Sequence, residues 1–106
     1  MKDFIFIYMT CADENEGRRI CAALLDRRLI ACANIMPPHV ALYEWQGKRE
    51  ESREVAVIMK GRADMFDDIH ALACELHSYE CPCIVALPIT DGHHPYMQWL
   101  AAQTAL

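Results

Sequence analysis

Apolar residues follow two kinds of pattern along the chain, one typical of strands and one typical of helices. Residues 4–10 are apolar, β-branched or aromatic almost throughout, which predicts a buried strand. Residues 13–28 predict a helix, because acids open this segment and Arg27 and Arg28 close it, as the helix dipole favours. Residues 64–78 predict a second helix, with apolar residues at i, i+3, i+4, i+7 spacing and Asp64 as its N-cap.

A long β-hairpin is predicted between these two helices. Residues 30–45 indicate one strand that is interrupted at Pro37-Pro38, because proline cannot donate to the hydrogen-bond ladder. The Gln46-Gly47 dipeptide predicts a tight turn, and residues 49–60 return as the second arm. Both arms exceed the usual strand length of about 5–6 residues. We expect the far end of the hairpin to pack on another copy of the chain, since so small a core cannot cover it.

The end of the chain completes the predicted fold. Residues 82–89 predict a short buried strand, and residues 94–106 predict a final helix or turn. The order β-α-β-β-α-β with a C-terminal extension is that of a ferredoxin-like α+β fold, with both helices on one face of an antiparallel sheet. A length of 106 residues predicts a single domain over residues 1–106.

Charge and hydropathy narrow the classes of partner. The chain has 15 acidic and 10 basic residues and a formal net charge of −5. This balance disfavours nucleic-acid binding, which needs a basic surface. No apolar run reaches the roughly 18–20 residues of a membrane span, and the first residues do not resemble a signal peptide. We expect a cytoplasmic protein that binds neither nucleic acid nor membrane.

The six cysteines are Cys11, Cys21, Cys32, Cys74, Cys81 and Cys83, and they form no C-x-x-C motif. In the cytoplasm we expect them to be reduced. A thiol with a neighbouring histidine can act as a nucleophile, but nothing here marks an oxyanion hole or an orienting carboxylate. The sequence therefore favours a protein that is not an enzyme and that holds no organic cofactor.

A metal site around the second predicted helix is the more specific candidate. His70, Cys74 and His77 are spaced i, i+4, i+7, and at 100° per residue they fall within one narrow stripe of the helix. Cys81 and Cys83 follow shortly afterwards. Thiolates combined with imidazoles suit Cu(I) or Zn(II). The alternative is that these residues occupy ordinary boundary positions of an amphipathic helix.

Four further residues are weaker candidates for metal ligands, namely Met9, Cys11, His93 and His94. Met9 and Cys11 end the first predicted strand, where soft ligands could converge, although packing there is the commoner role. The two adjacent histidines lie in a loop, where such residues usually face solvent.

Four motifs in order resemble the CutA family of divalent-cation tolerance proteins. They are LIACANI at residues 29–35, YEWQGK at residues 43–48, ALPI at residues 86–89, and the closing Gly92, Tyr96 and Trp99. Further matches to the family pattern are Glu51, Glu54, Lys60, His77, Tyr79 and Pro82. The resemblance runs from about residue 10 to residue 100.

This resemblance implies a ferredoxin-like subunit and a homotrimer whose long hairpin arms complete sheets between neighbours. It also implies copper binding and a role in tolerance to copper and other divalent cations. The family trimer resembles the PII-type signalling proteins, so clefts between subunits are candidate ligand sites. The residues that match this cleft are Trp45, Lys60, His77 and Tyr79.

The chain departs from the family pattern beside His77 and near Pro82. Ser78 replaces a proline, and Cys83 replaces a glutamate, so that a thiol stands where the family has a carboxylate. Some members carry a cysteine in place of Met9. If the family site uses that carboxylate, this chain has either lost the site or made it softer, and its other thiols favour a softer site that prefers Cu(I).

Two functions from different classes follow. The first is a cytoplasmic trimeric protein that binds copper or another divalent cation, with ligands drawn from His77, Cys83, Cys81, Cys74, His70, Met9 and Cys11. The second is a PII-like interaction module. It would bind a small anionic ligand or a partner protein in the intersubunit clefts. Lys60, Arg62 and Lys48 would supply the positive charge, and Trp45 or Tyr79 an aromatic surface.

Overall fold

The computed structural model describes residues 3–104, which form five strands and three α-helices in the order β-α-β-β-β-α-β-α. The strands are β1 (Phe4–Cys11), β2 (Ile30–Ile35), β3 (His39–Trp45), β4 (Lys48–Arg62) and β5 (Ile84–Pro88). The helices are α1 (Glu14–Asp26), α2 (Phe66–Leu76) and α3 (His94–Gln103), and a 3₁₀ turn over Ala63–Met65 leads into α2. None of these helices has the length and apolar character needed to cross a bilayer.

One antiparallel sheet organises the chain, in the strand order β2-β4-β1-β5. Strand β1 pairs with β4 along its whole length, from Phe4↔Arg62 to Cys11↔Val55, and with β5 on its other side. The predicted α+β class, with helices on an antiparallel sheet, is confirmed.

The main core lies between α1, α2 and one face of the sheet. Alternate residues of β1 point into this core, and they are Ile5, Ile7, Met9 and Cys11. A second, smaller cluster packs Met97 and Leu100 of α3 against Phe4 and Ala31. By strand alternation Phe4 faces away from the main core, so α3 covers part of the opposite face.

The long hairpin extends beyond this core. Strands β2 and β3 pair with successive parts of β4, so the predicted arm interrupted at Pro37-Pro38 is confirmed. Gln46 and Gly47 both adopt positive φ, at 51° and 80°, as a two-residue hairpin turn requires. Within residues 3–104, the outer half of β4 has no strand partner except β3. Leu42 of β3 is 63 % exposed there.

The second helix differs from its predicted bounds at both ends. It begins at Phe66 after the 3₁₀ turn, and neither of these elements is capped by a side chain, so Asp64 as N-cap is wrong. It ends at Leu76, and His77 is already extended. The physical reason is that long-range hydrogen bonds hold His77 and Ser78 against β1 and α1.

The first helix begins as predicted and ends early. The Asp13 carboxylate caps it by accepting a hydrogen bond from the Glu16 amide at 2.8 Å. The helix stops at Asp26 because Arg28 adopts φ 57° and the Leu29 amide donates back to the Leu24 carbonyl. The Arg28 guanidinium donates instead to carbonyls at the end of α3. Residues 105 and 106 of the predicted last helix lie outside the described residues.

Candidate functional site

A buried carboxylate joins three segments where β1 ends and α1 begins. Glu16 is only 6 % exposed. Its Oε1 accepts a hydrogen bond from the Ala12 amide at 2.9 Å, and its Oε2 accepts one from the Ser78 amide at 2.7 Å. Burial alone would raise the pKa of Glu16, but the hydrogen bonds from Ser78 and Ala12 outweigh it and lower the pKa below its ordinary value. Glu16 therefore fixes the segment after α2 to the start of α1.

His77 is the second member of this cluster, and its side chain is fully buried. Its Nε2 lies 2.8 Å from the Thr10 carbonyl oxygen, which can only accept, so Nε2 carries a proton. Its Nδ1 accepts a hydrogen bond from the Tyr79 amide at 3.0 Å. The imidazole is therefore neutral, and both of its nitrogens are engaged.

Cys11 completes a group of three that proximity marks as a candidate metal site. The ligand atoms of Cys11, Glu16 and His77 all lie within 4.8 Å of one another. However, both histidine nitrogens and both carboxylate oxygens already make hydrogen bonds. Burial, followed by the charge of Glu16, raises the pKa of Cys11 to about 12, which disfavours the thiolate that a metal needs. The arrangement fits a structural hydrogen-bond cluster and does not fit a metal ion.

The remaining predicted ligands fall into separate places. Met9 is fully buried in the main core. His70 and Cys74 lie exposed on α2, with Sγ and Nε2 3.4 Å apart. The predicted stripe of His70, Cys74 and His77 is wrong for His77, because α2 ends before that residue.

Cys81 and Cys83 lie in the segment between α2 and β5, and both are exposed. They line a groove of about 830 Å³ between this segment and the hairpin. Other residues of the groove wall are Tyr8, His39, Trp45, Glu54, Tyr79 and Glu80. Two of the predicted cleft residues, Trp45 and Tyr79, are thus in one groove with two thiols.

Tyr79 anchors the floor of this groove. Its hydroxyl donates a hydrogen bond to the Glu54 Oε2 at 2.8 Å. Burial and then the hydrogen bond to Glu54 raise the pKa of Tyr79. The ring also contacts His77, with ring centroids 4.9 Å apart. The groove is therefore joined directly to the Glu16–His77 cluster.

Lys60, the third predicted cleft residue, lies elsewhere in the subunit. Its Nζ donates to Asn34 Oδ1 at 3.2 Å and lies 3.7 Å from Cys32 Sγ. It also lies over the rings of Phe6 and Tyr96, 5.8 and 5.7 Å from their centroids. Lys60 is therefore not among the residues that line the groove of Trp45 and Tyr79 within the described subunit.

The sequence reasoning missed Glu16, the centre of the buried cluster. A signal for it exists, because Asp13 followed three residues later by Glu16 is the pattern of a capping box. That pattern predicts a cap for α1. It does not predict the bond to Ser78, which lies 62 residues further along the chain.

Comparison with known proteins gives a consistent result over almost the whole chain. Residues 5–103 match the family described as CutA1 divalent ion tolerance protein. The chain is 38 % identical over 100 residues to the divalent-cation tolerance protein CutA of Pyrococcus horikoshii, covering 94 % of this chain and 97 % of that protein.

A human relative and a solved structure agree with this match. The chain is 34 % identical to human protein CutA over 97 residues, which cover 92 % of this chain but 54 % of the human protein, so it spans about half of that relative. The structure of the periplasmic divalent cation tolerance protein CutA from Archaeoglobus fulgidus superposes with a TM-score of 0.93 at 35 % identity. The superposition covers 96 % of this chain and 99 % of the archaeal one.

Proposed function

The chain belongs to the CutA1 divalent ion tolerance family, and we propose that it acts in tolerance to divalent cations, copper among them. The proposed protein is a cytoplasmic homotrimer that binds these ions and catalyses no reaction. The observation that carries this proposal is the match of residues 5–103 to that family. The proposed subunit is ferredoxin-like, which the strand order β2-β4-β1-β5 supports.

Exposed apolar side chains support the assembly. Large apolar residues stand exposed on the hairpin and on β5, and they are Val40, Leu42, Trp45, Val85 and Leu87. About half of each residue is still exposed, so burying the remainder is worth roughly 1 kcal/mol per residue. Among the described residues the outer half of β4 pairs with β3 alone, so another molecule could supply a further strand partner, and a closed ring of copies satisfies every hairpin at once. The choice of three copies follows the family resemblance.

The groove thiols are the proposed copper ligands. Cys81 and Cys83 are exposed and two residues apart, and thiolates are soft ligands that suit Cu(I). His39 and Glu54 also line the groove and offer further donor atoms. His77 enters as a positioning residue, because its hydrogen bonds fix the segment from which these thiols extend.

A competitive titration tests the copper site. The reduced, metal-free protein is titrated with Cu(I) against a competing chelator, and the stoichiometry per chain is recorded. We expect a whole-number plateau that is lost in Cys81→Ser/Cys83→Ser and kept in the matched control Cys32→Ser. His77→Ala should lower stability yet keep the plateau. Binding without a plateau, or a double variant that binds as the parent does, refutes the groove site.

Sedimentation of the purified protein and experiments in cells test the remaining parts of the proposed function. Sedimentation equilibrium should give three times the subunit mass at micromolar concentration. Disruption of the gene should raise sensitivity to copper, and the intact gene should restore tolerance. Fractionation should recover the protein with cytoplasmic markers. A monomer, or unchanged copper sensitivity, contradicts the corresponding part.

The second candidate function is a PII-like interaction module, which one observation favours. The groove has a size within the usual 300–1,000 Å³ of small-molecule sites, and it presents Trp45 and Tyr79 as apolar surfaces. In the part of the chain that the structure describes, no carboxylate pairs with the Lys60 ammonium, so it can receive an anion. Binding of a small anion that survives chelation and fails in Lys60→Ala would favour this function over metal binding.

A further inference from the structure

One pair of metal-ligating side chains lies outside both the buried cluster and the groove. His70 and Cys74 are one helical turn apart on α2, and both are exposed. The Cys74 Sγ lies 3.4 Å from the His70 Nε2. Phe66, one turn earlier, stacks on the imidazole with centroids 5.8 Å apart and planes inclined by 15°. The helix therefore holds a thiol and an imidazole face to face at the surface.

The separation of the two donor atoms discriminates between metal geometries. With Zn–S bonds of about 2.3 Å and Zn–N bonds of about 2.0 Å, a separation of 3.4 Å corresponds to an S–Zn–N angle of about 104°. This angle is close to tetrahedral. A linear two-coordinate ion with similar bonds would need donors about 4.3 Å apart. The side chains as placed suit a tetrahedral divalent ion.

The contact between the two side chains is also one that a metal can replace without breaking other bonds. When Nδ1 carries the imidazole proton, Nε2 accepts a hydrogen bond from the thiol, and the same lone pair and sulfur can bind an ion once the thiol proton leaves. Neither donor atom has another hydrogen-bond partner among residues 3–104. His77 differs in this respect, because both of its nitrogens are engaged with backbone groups.

We propose that His70 and Cys74 form an open, two-ligand site for a zinc-like divalent cation on the outer surface of α2. Binding forms one M–S and one M–N bond and releases the thiol proton, and solvent or a small exogenous ligand completes the tetrahedron. No third His, Cys, Asp or Glu of the described chain is close enough to close the site. The site deepens the proposed cation binding and rests on it, but it uses neither the buried cluster nor the groove thiols.

The test uses the reduced full chain in which Cys81→Ser and Cys83→Ser remove the groove thiols. This parent is titrated with Zn(II) against a chromophoric chelator and with Co(II), whose thiolate charge-transfer absorption reports a sulfur ligand. We expect one site per chain. Removing a residue that only supports a metal ligand commonly weakens metal binding 10–100-fold. His70 and Cys74 are the proposed ligands themselves, so His70→Ala and Cys74→Ser should each weaken Zn(II) binding by at least about tenfold.

Two matched variants separate a built site from adventitious binding. Ala71→Cys/Cys74→Ser keeps the number of thiols but moves the sulfur off the i, i+4 position, and it should not restore binding. Cys74→His keeps the spacing, so it should retain Zn(II) and lose the charge-transfer band. The circular dichroism spectra of these variants should match that of the parent, since residues 71 and 74 are both exposed.

The outcomes distinguish this site from the proposed function. If the parent binds no Zn(II), or if His70→Ala binds as the parent does, the helix site is refuted. If Ala71→Cys/Cys74→Ser binds as the parent does, the thiol binds adventitiously and the site is refuted as well. The groove site is judged separately, by Cu(I) titration of the chain that retains Cys81 and Cys83.

Discussion

Glu16→Gln is the sharpest test of the buried cluster, because the change is isosteric and removes only a charge and an acceptor. In the native protein both carboxylate oxygens accept backbone hydrogen bonds, from Ala12 at 2.9 Å and from Ser78 at 2.7 Å. A glutamine amide can keep one of these bonds through its oxygen. Its NH₂ group then faces the other backbone N–H. Two hydrogen-bond donors therefore face each other where, in the native protein, a carboxylate oxygen accepts from that N–H.

The expected loss follows from these two bonds. A hydrogen bond to a charged group contributes about 1.5–3 kcal/mol, and a neutral one about 0.5–1.5 kcal/mol. Glu16→Gln weakens the bond to one amide and removes the bond to the other, and both of these bonds are partly buried. We expect the free energy of unfolding to fall by about 2–4 kcal/mol at neutral pH.

Glu14→Gln is the matched control in the same helical turn. Glu14 pairs with Arg18 at 2.7 Å, but both side chains are more than half exposed. Such a surface pair contributes about 0.3–0.5 kcal/mol, and so the control should be nearly neutral. Urea unfolding of both variants at one protein concentration measures the difference, because the proposed assembly would make stability depend on concentration.

The pH dependence gives a second measurement of the same bonds. The folded pKa of Glu16 is lowered, so the stabilisation is present above the unfolded pKa of about 4.3 and is lost as the pH falls through the folded value. The gap between the parent and Glu16→Gln should therefore narrow as the pH falls below about 5. Equal effects of Glu16→Gln and Glu14→Gln at pH 7, or a gap that does not change with pH, would refute the reasoning.

Three further predictions concern the sheet, the thiols and the hairpin. Gly61→Ala should cost about 1–3 kcal/mol in urea unfolding, because its Cβ would lie 2.8 Å from the Leu29 carbonyl oxygen; a neutral effect would contradict this close approach. Burial raises the pKa of Cys11 to about 12, so at pH 8 only about one Cys11 side chain in ten thousand is a thiolate. When the native protein is alkylated and its modified residues are identified by mass spectrometry, Cys74 should be modified and Cys11 should not. Leu42→Lys should keep the hairpin, because the residue opposite position 42 on β4 is an acid, Glu51. It should raise the dissociation constant of the proposed assembly, measured by sedimentation, by at least about 100-fold. An unchanged dissociation constant would exclude the hairpin as a contact between subunits.

Features that depend on neighbours in the chain followed from the sequence. The break at Pro37-Pro38 and the turn at Gln46-Gly47 depend on backbone properties of those residues themselves, so their positions could be predicted. The juxtaposition of His70 and Cys74 is likewise a consequence of helical periodicity. Residue type and spacing contain this information because the groups that interact are at most a few residues apart.

Only the tertiary structure decided what His77 and Glu16 do. Helical spacing placed His77 beside Cys74, but bonds to Thr10, 67 residues away, and to Tyr79 turn the imidazole inwards and end the helix. Glu16 was an ordinary capping acid until the fold brought Ser78 against it. Hydrogen-bond partners so distant in sequence follow from the packing of α1, α2 and β1 together, and local pattern contains no record of that packing. Within one subunit the same packing leaves Lys60 outside the groove that Trp45 and Tyr79 line, and the cleft between subunits that the family resemblance implies stays a prediction.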